Sequence, residues 1–308
     1  MIKNLTSMVG PVLTVVLSML HASCAGSNGQ PWPSGDSSYV FATPDARFDL
    51  KKDLKEISGL TTLKDGTLAA IEDESGALFI LDPTSGDVIA RKKFAKRGDF
   101  EGLELAGDRL YALRSDGRLF MMDDWSGADI KSKEEKLDLP KRCDAEGLAF
   151  DGSRLLISCK EEPGKDLKRV KAIYSLDPAT MKVSDDPAFI IDPKEFSASV
   201  KDHAVNEAVR SVMSERVDLS GFKPAGMAIH PITRELYVVS SVRQAILALD
   251  RGGNVTKIWA LPDGLMEQPE SIAFLPNGDL FVASEAGGGK SARLFRFNYR
   301  VSGSESQP

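Results

Sequence analysis

Five segments of this chain open alike, and that internal echo constrains the fold more than any other feature. A small or acidic residue, then glycine or serine, then an apolar residue begins SGLTTL at Ser58, EGLEL at Glu101, EGLAF at Glu146, AGMAI at Ala225 and ESIAF at Glu270. Eight to ten residues later a leucine starts a second apolar run, at Leu68, Leu110, Leu155, Leu236 and Leu280. A third run follows in most copies: ALFILDP, GRLFMMD, AIYSLDP, AILALDR and ARLFRFN. The openings lie 43, 45, 79 and 45 residues apart. Repeats of about 40 to 50 residues, built of short strands and turn signals, are the signature of β-propeller blades.

The runs are too short for helices, and LKDGT, AGDR, DGSR, PITRE and LPNGD between them supply tight hairpin turns. The reading is an all-β propeller of five four-stranded blades. Fourth strands show at DVIARKKF and NVTKIWAL, but the last repeat runs out at Asn298 to Arg300 without one. The extended segment from Ser38 to Leu50 is placed to supply it and close the ring, removing two sheet edges. The long gap holds extra residues of helical composition, with Phe196, Val200, Val205, Val209 and Val212 at three-to-four spacing. An amphipathic helix inserted near 193–218 is expected there. The alternative is a sixth, degenerate blade over 184–222, disfavoured because no turn-centred strand pair occurs in that stretch.

The first 25 residues read as an export signal, with Lys3 ahead of an apolar core from Met8 to Leu20. Cys24, preceded by Leu20, Ala22 and Ser23, resembles the lipid-modified cysteine of bacterial lipoproteins, although His21 stands where leucine is usual. Lipid anchoring in the bacterial cell envelope and plain secretion both stay open. Residues 26–37 read as a flexible tether, 38–300 as one propeller domain expected to be monomeric, and 301–308 as a disordered tail. A net charge of -6 and a pI of about 5.3 exclude a nucleic-acid partner. Cys143 and Cys159 flank one hairpin. In an oxidising compartment they can pair, but a two-residue turn sets Cys159 opposite Glu146, so a bridge needs a bend or bulge. Two free thiols are the alternative.

In a propeller, residues recurring at one repeat position gather in a ring. The position before the Gly/Ser carries Ser58, Glu101, Glu146, Ala225 and Glu270; five after the second-strand leucine come Asp73, Ser115, Lys160, Ser241 and Glu285. Hard oxygens converging on an axis suit Ca²⁺, so Glu101, Glu146, Glu270 and Glu285 are candidate metal ligands. Glu56, Asp73, Arg114 and Lys160 are candidate ligand-binding residues. The competing reading is that the glutamates satisfy backbone donors or pair with Lys160 or Arg114. His21, His203 and His230 are scattered, which argues against zinc, and His230 reads as a turn residue. No nucleophile elbow, HExxH or phosphate loop is present.

EISGL at Glu56, DFEGL at Asp99, EGLAF with a following ISCKE, KPAGMAIHP at Lys223 and QPESIAF with FVASE at Phe281 together resemble the SdiA-regulated family of bacterial propellers, over about residues 50 to 300. The resemblance implies an exported or membrane-tethered propeller with an acidic, metal-binding centre, and it implicates Glu56, Glu101, Glu146, Lys160, Glu270 and Glu285. Ala225 departs from the family's serine after KP. Two function classes follow: a non-catalytic binder of a small molecule or envelope protein at an acidic funnel, with calcium as the expected cofactor, or a calcium-dependent hydrolase of the phytase-like esterase or lactonase type.

Overall fold

Hairpin after hairpin, the apolar runs pair as antiparallel strands. The computed structural model describes residues 38–127, 129–164, 167–192, 221–262, 264–289 and 291–300. The chain opens with β1 (Ala46–Asp49). Blade 1 then holds β2 (Ile57–Thr62), β3 (Leu68–Glu72), β4 (Ala77–Leu81) and β5 (Val88–Lys93). Blade 2 holds β6 (Phe100–Ala106), β7 (Arg109–Arg114), β8 (Arg118–Met122) and β9 (Ser132–Lys136). In blade 3, β10 (Ala145–Phe150), β11 (Leu155–Cys159) and β12 (Lys171–Asp177) are followed by an outer strand in two pieces, β13 (Lys182–Val183) and β14 (Phe189–Ile191), both paired to β12. Blade 4 holds β15 (Met227–Ile229), β16 (Leu236–Ser240), β17 (Ala245–Leu249) and β18 (Val255–Ala260). Blade 5 holds β19 (Gln268–Phe274), β20 (Leu280–Glu285) and β21 (Arg293–Phe297), and β1 completes it as the outer strand, Ala46 opposite Arg296 and Asp49 opposite Arg293.

The turns explain the hairpins. In blades 1 and 5, Leu63 and Leu275 bond across three-residue loops ending in Gly66 and Gly278, whose φ values of +86° and +93° are the left-handed conformation such loops require. Burial explains the sequence texture. β3 and β17 are buried at every position because each lies between two neighbouring blades, whereas the outer β5 alternates and β9 is mostly polar. The inner strands therefore read as continuous apolar runs and the outer ones do not.

Five apolar clusters make the core, one in each seam between blades. Between blades 1 and 2, for instance, Ile71 and Leu78 pack on Phe100, Leu103 and Phe120. Innermost strands touch in cyclic order, β2 on β6, β6 on β10, β10 on β15, β15 on β19 and β19 on β2, so the ring closes with five blades. The six-blade alternative fails on this closure: residues 182–191 finish blade 3, and Phe222 is buried in the seam of blades 3 and 4. The helix expected near 193–218 lies outside the described residues, as do Cys24, the tether and the tail.

The residues just before β1 plug the seam of blades 4 and 5. Tyr39 and Phe41 pack among Tyr237, Trp259, Phe274 and Phe297. The Tyr39 hydroxyl donates to the Gly278 carbonyl (2.6 Å) and meets His230 Nε2 (2.9 Å). His230, fully buried, accepts the N–H groups of Ile232 (3.1 Å) and Thr233 (3.0 Å) on Nδ1, which leaves Nε2 as its protonated nitrogen. It is a turn residue, as its sequence context suggests.

Candidate functional site

One backbone irregularity recurs in every blade and sets the site. In blade 1 Ile57 faces Glu72 but Gly59 faces Ile71, so Ser58 is an extra residue; Glu101 and Glu270 are extra in the same way in blades 2 and 5. In blade 3 the slip falls between Ala145 and Leu148, across Glu146. In blade 4 Ala225 N–H donates to the Val239 carbonyl while Val239 N–H donates to the Gly226 carbonyl, the same two-against-one pairing. A β-bulge re-aims the side chain it carries. The repeat position singled out by sequence is thus the bulge of each innermost strand.

The glycine that follows has its own cause. A Cβ on Gly59 would lie 2.9 Å from the Leu103 nitrogen, one on Gly102 2.8 Å from the Glu146 carbonyl, and one on Gly226 2.6 Å from the Glu270 carbonyl; on Gly147 it would collide with the Ala225 carbonyl. In a narrow five-blade ring the backbone of the next blade occupies that space. Only blade 5 differs, with Ser271, buried, at the equivalent place.

Backbone hydrogen bonds then gather the two residue sets at one end of the axis. The N–H groups of Asp73, Ser115 and Lys160 donate to the carbonyls of Glu56, Asp99 and Asp144 in their own blades. The Asp73 and Ser115 carbonyls accept from Phe100 (2.8 Å) and Ala145 (2.9 Å) of the next blade, so each second-strand end sits beside the neighbouring bulge. Blade 3 adds a covalent clamp: Cys143 and Cys159 are joined, with Cα atoms 4.6 Å apart. The bulge makes this reachable by moving Cys159 from opposite Glu146 to opposite Ala145.

Lys160 is the ammonium among these carboxylates. Its Nζ lies 2.8 Å from Glu146 Oε1, whose side chain is only 4% exposed. Its backbone carbonyl is held by buried Lys171 at 2.6 Å. Burial alone would depress the Lys160 pKa, but the charge and hydrogen bond of Glu146, with Glu101 and Glu270 beyond, drive it upward. One cation does not balance the site. Burial raises Glu101, and the charges of Glu146 and Asp99 add to the rise. Burial also raises Glu146 despite Lys160, and Glu270 despite a hydrogen bond from Ser241. Glu285 is pushed to about 8 by burial and by Glu270, Asp73 and Glu56; Asp73 is pushed to about 6 by burial and by Glu56 and Glu72.

The remaining candidates divide. Glu56 is exposed at the rim and acts on the site through its charge. Arg114 turns to Asp116 (3.3 Å) and forms no pair with the axial glutamates. Asp99 bonds the Ser115 hydroxyl and Lys223 pairs with Glu161. Sequence reasoning missed Lys171 as a support because it belongs to no recurring position, and it placed Ser241 in the second ring without a role. It also missed Glu104, held at about 8 by burial, which accepts from Thr61 (3.3 Å) and the Leu105 N–H (3.1 Å) between blades 1 and 2. Carboxylate oxygens are chemically suited to calcium. Yet among the described residues no three Asp, Glu, His or Cys side chains are grouped to hold a metal ion, and Lys160 takes a Glu146 oxygen. As arranged, the donor set does not fit a resident metal.

A family profile described as SdiA-regulated matches residues 41–288. Among solved structures the chain is similar to a glutaminyl cyclase from Myxococcus xanthus, at 15% identity and a TM-score of 0.55, covering 84% of this chain and 96% of that one. It is also similar to the PQQ-bound aldose sugar dehydrogenase of Streptomyces coelicolor, at 12% identity and a TM-score of 0.47, covering 84% and 100%. At that identity the cyclase likeness carries the fold and not the activity. No curated protein matches the sequence.

Proposed function

We propose that this chain, which belongs to the SdiA-regulated family, is a binding propeller whose acidic axial mouth takes a positively charged ligand without catalysis. The observation that carries this reading is the charge imbalance: Glu101, Glu146, Glu270, Glu285 and Asp73 are all raised, with Lys160, among the described residues, the one cation that tempers the four glutamates. A second cation would let these groups ionise and would relieve their mutual repulsion. An ammonium or guanidinium group suits the present geometry, since it needs hydrogen-bond acceptors and no closed shell of ligands. Calcium would serve only if Lys160 left Glu146 and the carboxylates closed together.

Melting curves at pH 8 test this. Putrescine and arginine amide are expected to raise Tm, and Glu285→Gln together with Glu101→Gln to abolish the effect. Stabilisation by calcium alone, reversed by chelator, would replace the organic cation with the metal. If neither class shifts Tm, the reading fails.

One observation favours a hydrolase as the second reading: a carboxyl that burial holds protonated, Glu101, lies beside Glu146, which Lys160 draws toward ionisation. Against a phosphoesterase, Arg114 and Lys223 are already paired with acids, leaving little to clamp a phosphate. Hydrolysis of lactones or phosphate esters, abolished in Glu146→Gln with folding intact, would establish catalysis. We also infer export and tethering through Cys24. The lipobox-like residues before it support this, as does the Cys143–Cys159 bond, which belongs to an oxidising compartment. Loss of lipid labelling in Cys24→Ser is the test.

A further inference from the structure

The face opposite the acidic mouth carries a cavity of about 290 Å³ in the seam between blades 3 and 4. That volume is at the lower end of small-molecule sites. Its floor is apolar, made by Leu156, Phe189 and Leu236, and its rim bears Arg154, Arg234 and Arg251.

The rim charges do not cancel. Asp151 is consumed locally: its Oδ2 accepts Arg154 Nε (3.0 Å) and Nη2 (2.9 Å), and its Oδ1 takes the N–H groups of Ser153 and Arg154. Asp250 accepts the N–H groups of Gly252 (2.8 Å) and Asn254 (2.9 Å) and so remains a charged turn residue facing no cation directly. Arg234 and Arg251 stand against that single negative charge. Arg234 also occupies an unusual position. Its φ is +62°, and the equivalent hairpin residues of blades 1 and 5 are Gly66 and Gly278. A bulky L-residue is strained there. The strained turn sends the guanidinium across the seam, where Nη2 donates to the Asp151 carbonyl (2.8 Å), so that it is fixed at the cavity edge.

We propose that this seam is a second binding site, for a small organic anion with a short apolar tail. The head group lies between Arg234 and the exposed Arg251, where a planar guanidinium gives paired hydrogen bonds to carboxylate or phosphate oxygens. The tail covers Phe189 and Leu156.

Titration calorimetry of the full chain with hexanoate, hexyl phosphate, hexanol and hexylamine tests the assignment. Saturable binding of either anion is expected, with hexanol and hexylamine weaker by about tenfold or more. The ranking of the two anions tells a carboxylate ligand from a phosphate monoester. Arg251→Glu, at an exposed turn, is expected to weaken the anions about tenfold or more while Tm stays unchanged; Glu101→Gln, at the other end of the axis, is expected to leave them unaffected. Equal binding of hexanol, no saturable binding of either anion, or indifference to Arg251→Glu would overturn the site.

Discussion

The two ends of this propeller solve the problem of buried polar groups in opposite ways. At the seam of blades 4 and 5, Tyr39, His230 and the Gly278 carbonyl form a closed relay within an aromatic cluster, in which Tyr237 and Trp259 stack with centroids 5.2 Å apart. Donor and acceptor match at each of these contacts. At the acidic mouth, Lys160 tempers the four glutamates but not Asp73, and all five pKa values rise because folding removes water without supplying enough counter-charge. The first region is what stability alone produces. The second costs stability and is retained in the geometry that a ligand would need.

Breaking the relay has the largest expected effect. His230→Leu deprives the Ile232 and Thr233 N–H groups and the Tyr39 hydroxyl of a partner, and should cost about 3 kcal/mol. A fall in Tm of roughly 6–9 °C at pH 8 is the expected reading. A smaller loss would mean that water reaches the turn. Lys160→Met comes next: it leaves Glu146 buried without its partner and should cost about 2 kcal/mol at pH 8. Because Glu146 can then take a proton, the loss should shrink toward pH 5.

The smallest effect has the opposite sign. Glu285, ordinarily near 4.5, sits at about 8 in the folded chain. Below pH 4.5 it is protonated folded or unfolded, and its burial costs little. As pH rises from 4.5 to 8 the unfolded chain gives up this proton first, so stability falls across that window and the penalty is complete above it. Glu285→Gln removes the titration. It should raise Tm at pH 8 by about 2 °C, from roughly 1 kcal/mol, and leave Tm unchanged at pH 4.5. A destabilised variant at pH 8 would mean that the mouth is not frustrated, and the contrast between the two ends would disappear.

Much of this was legible because repetition substitutes for an alignment: equivalent side chains had to share a ring, and Glu101, Glu146 and Glu270 do. The closing role of the segment before the first repeat was legible from the missing fourth strand. The bulge was not, because a one-residue slip in pairing leaves no mark in residue type; the glycine after it marks crowding from the next blade instead. Arg114 misled because an aspartate two residues on offers a nearer partner than the axis. The calcium expectation counted oxygens, whereas the competing expectation, a glutamate paired with Lys160, corresponds to the Lys160–Glu146 contact of 2.8 Å. Blade 3 was obscured because its outer strand is split between Lys182–Val183 and Phe189–Ile191, each too short to show periodicity.

The pairing of Ala46–Asp49 with Arg293–Phe297 sets the order of events in assembly. These partners are separated by nearly the whole ring, a contact of very high sequence separation that only a completed chain can make. As this propeller is synthesised, one sheet edge must wait unsheltered until β21 arrives. Chaperone escort through that interval is therefore something this architecture asks of its surroundings.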